Sequence, residues 1–346
     1  MMVDPESVAG SEHQILVATN RVAVDEPQQR YADGRARQIS LDNVVVWVPD
    51  DRPPGSLTLP SKSKPDPARQ FGVVDFASLE RSAFLDQLNQ RMAAIEQENT
   101  VFLFVHGYNV PYAGGVYRLA QMVADFDAKS VPVLFSWPSS GRLLGYLYDR
   151  DSVQFARDGL AEVILLLAQS DATSIFLMGH SMGTMLVMET LRQLSLAGHE
   201  KTLRKISPLV LASPDIDVDV FRSQMNGLSH RPDPMIIFVA SDDGALRLSQ
   251  KIRGGHPRIG EGQNIPELQE HGIAVIDLSD VDLGDGTQHS AFAASPTLIS
   301  IMKRAATASE TLSDADQSER RSPLEAMSEF TSGLLYLPNR DVESEP

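Results

Sequence analysis

Between residues 100 and 300, short apolar runs rich in β-branched and aromatic residues alternate with longer segments whose apolar positions recur every three to four residues. The runs at 100–105, 131–137, 174–178, 208–212, 235–240 and 273–278 read as strands, and the intervening periodic segments at 115–126, 152–169, 182–196 and 244–252 as helices. Alternation of this kind predicts an α/β domain with a mostly parallel central sheet and helices on both faces, joined by right-handed crossovers. Upstream, 15–18, 44–48 and 71–74 read as shorter strands that extend one edge of the sheet in antiparallel fashion. The proline-rich stretch 50–67 reads as a surface loop, and no internal repeat is present.

Composition sets the limits around this pattern. Of 346 residues, 42% are hydrophobic and 22% charged, which fits one globular domain over 13–305, with a flexible N-terminus at 1–12 and a tail at 306–346. The tail carries nine acidic and three basic residues, so a solvated segment is expected there, apart from an apolar patch at 330–337. A net charge of −16 argues against a nucleic-acid partner, because phosphate neutralisation needs a basic face. There is no run of 18 apolar residues to span a membrane, and the start of the chain is polar and acidic where a signal peptide would be basic and then apolar. A cytoplasmic protein is therefore expected. The chain has no cysteine, so any side-chain nucleophile is oxygen or nitrogen. No metal-ligand cluster or phosphate-binding glycine loop is evident, so neither metal nor organic cofactor is expected.

The chemistry concentrates at Gly179-His180-Ser181-Met182-Gly183, which follows a strand directly and opens an amphipathic helix. In that context G-x-S-x-G makes a strained turn that thrusts the serine hydroxyl outward, with glycines where side chains would collide with backbone. A serine hydroxyl is a poor nucleophile until a base takes its proton. Eight histidines compete for that role. His180 adjoins the serine and reads as packing, and His106 ends a strand and reads as a turn element. His13, His199, His230, His256 and His271 lie in polar segments. His289 stands in a Gly/Asp-rich loop past the last strand and is the expected base.

The acid is expected after a strand lying between the serine and the histidine in the chain. Asp243 is preferred, with Asp242 and the earlier Asp215, Asp217 and Asp219 as alternatives, and helix capping is the plainer role for each. Two backbone N–H groups must meet the developing oxyanion. Met182, next after the serine, offers one, and Tyr108 in the His106-Gly107-Tyr108-Asn109 turn offers the other. Tyr108, Tyr112, Trp137, Leu143, Leu144, Tyr146 and Tyr148 are candidates for an acyl pocket or lid, with ordinary packing as the plainer role.

Several segments together resemble the bacterial α/β-hydrolases of unknown function of the DUF900 group. They are Ala18-Thr19-Asn20-Arg21, Phe104-Val105-His106-Gly107-Tyr108-Asn109, Phe135-Ser136-Trp137-Pro138-Ser139 with Gly141, Gly145-Tyr146 and Asp149-Arg150. The elbow at 179–183, Ser213-Pro214-Asp215, Asp243 with Ala245-Leu246-Arg247-Leu248-Ser249, and His289-Ser290 complete the set. The resemblance implies an α/β-hydrolase fold and a triad of Ser181, Asp243 and His289. It leaves the substrate open. Two features depart from similar proteins: the acid is doubled as Asp242-Asp243, and no secretion or lipoprotein leader is seen. The resulting expectation is a serine hydrolase, a carboxylesterase for short to medium acyl esters. The alternatives are an inactive scaffold of the same fold, or the same triad working as thioesterase, peptidase or acyltransferase.

Overall fold

The computed structural model describes residues 2–279 except 4, 6, 7, 27, 28, 62–64, 96–98, 127, 128, 242, 247, 248, 250–255, 263 and 264, together with Ala293 and Ile299. In chain order the elements are β1 (Gly10–Glu26), β2 (Gln29–Pro49), β3 (Gly72–Leu79), α1 (Arg81–Ala93), β4 (Thr100–Val105), α2 (Tyr112–Phe126), β5 (Val131–Ser136) and α3 (Tyr146–Leu167). There follow β6 (Ser174–His180), α4 (Met182–Leu196), the single turn α5 (Glu200–Leu203), β7 (Ile206–Ala212), α6 (Val218–Asn226), β8 (Met235–Val239), α7 (Ile265–Glu270) and β9 (Ala274–Asp277). The strands form one sheet in the order β3-β2-β1-β5-β4-β6-β7-β8-β9.

The central strands are continuously apolar because both of their faces are covered. In β4, Val101, Leu103 and Val105 point into a core shared with α1, α3, α4 and α6, while Phe102 and Phe104 point into a second core against α2. The same alternation runs through β8, where Met235, Ile237 and Val239 face one core and Ile236 and Phe238 the other. Pairing from β1 through β5, β4, β6, β7 and β8 to β9 is parallel throughout. At the edge, β1 joins β5 in parallel, and only β2 runs against the rest, antiparallel to both β1 and β3. The edge is thus less antiparallel than the sequence suggests.

The structured chain also starts early. β1 begins at Gly10 and the Val3 N–H donates to the Val73 carbonyl (2.9 Å), inside the segment expected to be flexible. The boundary expected at residue 306 and the acidic tail lie outside the described residues.

One feature shapes the functional end of the sheet. β1 pairs with β5 only from Leu16 to Thr19, yet the β1–β2 hairpin continues through Arg21↔Arg35 and Ala23↔Tyr31 to Glu26↔Gln29. Because β1 and β5 are parallel, residues 20–26 and 29–40 form an arm that passes the carboxyl end of β5, the end at which open α/β sheets place their ligand sites. The arm leans on the start of α3: Arg35 donates to Ser152 Oγ and to the Tyr148 carbonyl (both 3.0 Å), and Tyr148 OH donates to the Asp33 carbonyl (2.7 Å).

Candidate active site

β6 ends at His180 and α4 begins at Met182, so Ser181 alone makes the turn, with φ 52 and ψ −125. A serine at positive φ is strained by about 1–3 kcal/mol and persists only where its surroundings over-determine it. Here its N–H donates to the Ala212 carbonyl (2.9 Å), and its own carbonyl accepts from the Thr184 N–H (3.0 Å) and Thr184 Oγ1 (2.6 Å). The side chain is nearly buried.

The elbow and the loop after β4 are in direct contact, and two glycines permit it. A Cβ on Gly183 would lie 2.3 Å from the His106 carbonyl oxygen and 2.7 Å from that of Val105. One on Gly107 would lie 2.8 Å from both Ser181 Cβ and His180 Nδ1, so the His180 ring lies over this glycine. Gly183→Ala is accordingly expected to lower unfolding stability by about 1–3 kcal/mol through overpacking against backbone that cannot yield. Gly244→Ala, where an added Cβ meets nothing within 4 Å, should leave stability near wild type. Urea unfolding of the two variants checks this, and equal midpoints would contradict the close approach.

The loop at 106–111 is held from below by His106. Its ring is fully enclosed and stacks on Trp137 with centroids 5.0 Å apart, its Nδ1–H donates to the Gly107 carbonyl (2.9 Å), and Trp137 Nε1 donates to the His106 carbonyl (2.7 Å). Burial, reinforced by the Arg21 charge, holds the His106 pKa down to about 3, so the ring stays neutral at physiological pH.

From the side, the loop is held by a buried polar network. Asp149, in the first turn of α3 and fully buried, accepts from the Asn109 N–H (3.2 Å) and Ser139 Oγ (2.6 Å) with Oδ2, and from the Ser140 N–H (2.6 Å) with Oδ1. Ser139 Oγ in turn accepts from the Val110 N–H (3.1 Å). Arg21, near the base of the arm and 2% exposed, donates from Nε to Ser136 Oγ (3.0 Å), from Nη1 to the Ser139 carbonyl (2.9 Å) and from Nη2 to the Val110 carbonyl (2.7 Å). Burial lowers the Arg21 pKa to about 10, opposed by the Asp149 charge, which leaves the guanidinium charged at neutral pH.

Asp243 follows β8 and is fully buried. Its Oδ1 accepts from the N–H groups of Ala245 (2.9 Å) and Leu246 (3.2 Å), an N-cap arrangement. In the earlier acidic loop, the Asp215 N–H donates to the Ser181 carbonyl (3.4 Å). Asp215 Oδ2 accepts from Tyr146 OH (2.8 Å), and its Oδ1 accepts from Ser249 Oγ (2.7 Å) and lies 3.4 Å from Arg258 Nε. Asp217 caps α6, and Asp219 pairs with Arg222 at 2.8 Å. Asp242 and His289 lie outside the described residues. The structure thus brings Ser181, Met182 and the Tyr108 loop together.

The aromatic candidates divide in the same way. Trp137 is core, Tyr112 OH donates to Asp42 Oδ2 (2.9 Å), and Tyr148 lies under Arg35 of the arm at 4.4 Å. Tyr108 and Tyr146 meet edge to face at 5.5 Å, and Tyr108 OH donates to the carbonyl of Leu143, tying the 141–145 turn to the loop after β4. On that turn Leu143 and Leu144 are exposed. A concavity of about 700 Å³ lies elsewhere, between the arm and the start of α1, and contains none of these residues. Periodicity could not have pointed to Arg21, Ser139, Asp149, Tyr146 or Ser249. Tyr146 stands out as an aromatic pocket candidate, and the others only as members of the segments that carry the family resemblance.

A parallel sheet flanked by helices, with a serine elbow at the carboxyl end of a central strand, defines the α/β-hydrolase class. The model of the family described as alpha/beta hydrolase of unknown function (DUF900) matches residues 80–305, and the chain belongs to that family. The uncharacterized protein alr1448 of Nostoc sp. is 28% identical over 128 residues, covering 30% of this chain and 33% of its own. The chain therefore spans about a third of that relative's length. Among solved structures, a Rhizomucor miehei esterase aligns with 13% identity over 88% of this chain and 84% of its own, TM-score 0.36. The ydeN gene product of B. subtilis aligns with 12% identity over 60% and 97%, TM-score 0.31. EstE1, a carboxylesterase cloned from a metagenomic library, aligns with 11% identity over 67% and 97%, TM-score 0.34. No helix among the described residues is long and apolar enough to cross a membrane, and no group of three or more potential metal-ligating side chains occurs among them.

Proposed function

We propose that this chain is a serine carboxylesterase acting on short to medium acyl esters. The observation that carries the reading is the strained Ser181 turn, over-determined by hydrogen bonds and packed against a glycine-bearing loop, an arrangement with no evident purpose in packing alone. In the reaction, Ser181 Oγ attacks the ester carbonyl while His289 takes its proton, and Asp243 holds the imidazole in the tautomer that can accept it. The N–H groups of Met182 and Tyr108 receive the negative charge of the tetrahedral intermediate. Collapse expels the alcohol, which takes the proton from His289. Water then attacks the acyl-serine, giving its proton to His289, and the second collapse releases the acid and returns the proton to Ser181.

The 141–145 turn supports the preference for esters that are not presented at a lipid interface. Tyr108 OH ties it down, the Gly145 N–H donates to the Arg142 carbonyl (2.9 Å), and a Cβ on Gly145 would sit 1.9 Å from Ser140 Oγ. A turn so short and so tethered is a poor interfacial lid. Purified protein assayed on p-nitrophenyl esters of graded chain length, beside thioester and peptide substrates, should turn over the acetate to octanoate esters fastest. Strong activation by emulsified long-chain lipid, or cleavage confined to peptides or thioesters, would contradict this reading.

A further inference from the structure

We propose that Asp149 and Arg21 are positioning residues for the oxyanion, fixing the Tyr108 N–H from outside the triad. The proposal rests on the serine-hydrolase reading above. An oxyanion donor stabilises the transition state only if its direction is set beforehand, because a loop that must reorganise gives back much of what it gains. Tyr108 sits between two fixed points. On its N-terminal side Gly107 is pressed against Ser181 Cβ, and on its C-terminal side the loop reverses at Asn109, whose φ is 60. His106 takes the Gly107 carbonyl from within the loop, while the groups at Asn109 and Val110 find their partners elsewhere. They come from three distant segments. Asp149 takes the Asn109 N–H, Ser139 Oγ takes the Val110 N–H, and Arg21 takes the Val110 carbonyl.

The chemistry of the two side chains suits the task. A carboxylate accepts several hydrogen bonds at once and strengthens each by its charge, and Asp149 gathers two backbone N–H groups and one hydroxyl. A guanidinium presents a planar fork, and Arg21 donates to acceptors at 110, 136 and 139 that a lysine could not reach together. Ser139 joins the two, its carbonyl accepting from Arg21 and its hydroxyl donating to Asp149. Thr19 completes the frame by donating from Oγ1 to the Ser136 carbonyl (2.6 Å), which binds the base of the arm to the end of β5.

The test uses the full chain as Asp149→Asn and Ser139→Ala, with circular dichroism and thermal melts to report folding. Asparagine keeps the shape of the side chain but leaves one of its former hydrogen-bond donors facing an amide NH2. For Asp149→Asn we expect kcat and kcat/KM on p-nitrophenyl acetate to fall together by about 30- to 300-fold, the range for a misdirected oxyanion donor. Affinity for a trifluoromethyl ketone, which forms a tetrahedral adduct on the serine, should fall in proportion, with KM for the ester within about twofold. Ser139→Ala removes a single hydroxyl and should show the same pattern at about fivefold. It decides the matter if Asp149→Asn does not fold. A purely structural role would lower the melting temperature and leave kcat and ketone affinity of the folded protein unchanged, and that outcome overturns the proposal. An active wild type with indifferent variants rejects this proposal alone. A wild type that neither turns over ester nor takes a fluorophosphonate removes the hydrolase reading and this proposal with it.

Discussion

Replacing His289 with alanine is expected to reduce ester turnover by at least about ten-thousandfold, the scale on which a serine hydrolase loses activity when its base is removed. The size of the effect follows from the nucleophile. A neutral serine hydroxyl attacks esters slowly, and the proposed mechanism gives its activation to His289. His106 is enclosed, its ring stacked on Trp137 and its Nδ1–H directed to the Gly107 carbonyl. His180 lies over Gly107, while His199, His256 and His271 are exposed. The variant should retain the wild-type melting temperature, since His289 is assigned to chemistry and not to the core. Turnover of p-nitrophenyl butyrate beside a thermal melt reads both quantities. Turnover within tenfold of wild type would move the base elsewhere, with His180 the first residue to re-examine.

Asp243→Asn should lose roughly a thousand- to ten-thousandfold in kcat, because an amide in place of the triad carboxylate favours the wrong imidazole tautomer and cannot stabilise the imidazolium. This substitution separates two roles that alanine would confuse. Asp243 Oδ1 caps the turn through the N–H groups of Ala245 and Leu246, and asparagine caps as well as aspartate. Stability should therefore change by less than about 1 kcal/mol while activity collapses. Asp242→Asn is the companion measurement, expected to stay within a few-fold of wild type. A larger loss from Asp242→Asn than from Asp243→Asn would shift the acid by one residue. Substitution of Asp215 cannot serve as a clean alternative test, since that carboxylate already binds Tyr146 and Ser249.

The central sheet was legible because its strands are apolar on both faces, and continuous runs at 100–105, 131–137 and 174–178 have few other uses in a chain of this composition. Helix α4 matches its expected limits, Met182 to Leu196, because it starts at the elbow and keeps a clear apolar stripe. Helix α1 was not legible. Only Phe84, Leu88 and Met92 of its thirteen residues are buried, and Glu80 makes no side-chain cap, so neither the stripe nor the start signal is strong. Helix α6, capped by Asp217, is only nine residues long, too short for its period to stand out. The reach of β1 and β2 was also hidden, since apolar runs at 15–18 and 44–48 mark only the part of the hairpin inside the sheet, whereas the arm is rich in polar residues. α3 starts six residues before the expected 152 because its first turn is anchored by buried polar contacts of Tyr146 and Asp149, which hydrophobic period does not register.

The candidate site follows the same division. A strand running straight into a helix through Gly-His-Ser-Met-Gly is a local signal, and so is a glycine in the loop after β4. The partners that hold the loop after β4 are Arg21, Ser139 and Asp149, brought together by topology from segments as much as 118 residues apart. Their pairing has no expression in local pattern. Only the sheet order, with β1 inserted beside β5, explains why an arginine near the start of the chain meets a loop after β4.

The central claim is that Ser181 is an activated nucleophile, and labelling with a fluorophosphonate tests it most directly. Phosphorus electrophiles react when the serine oxygen displaces fluoride, with the base taking the proton and the oxyanion donors holding the developing charge, so reactivity reports the assembled site and not an isolated hydroxyl. One adduct per chain is expected on native protein, located by peptide mass spectrometry at Ser181, and lost in Ser181→Ala, in His289→Ala and after heat denaturation. Folded wild-type protein that takes no label while a control hydrolase reacts fully, or a label found at another serine and retained in Ser181→Ala, would contradict it.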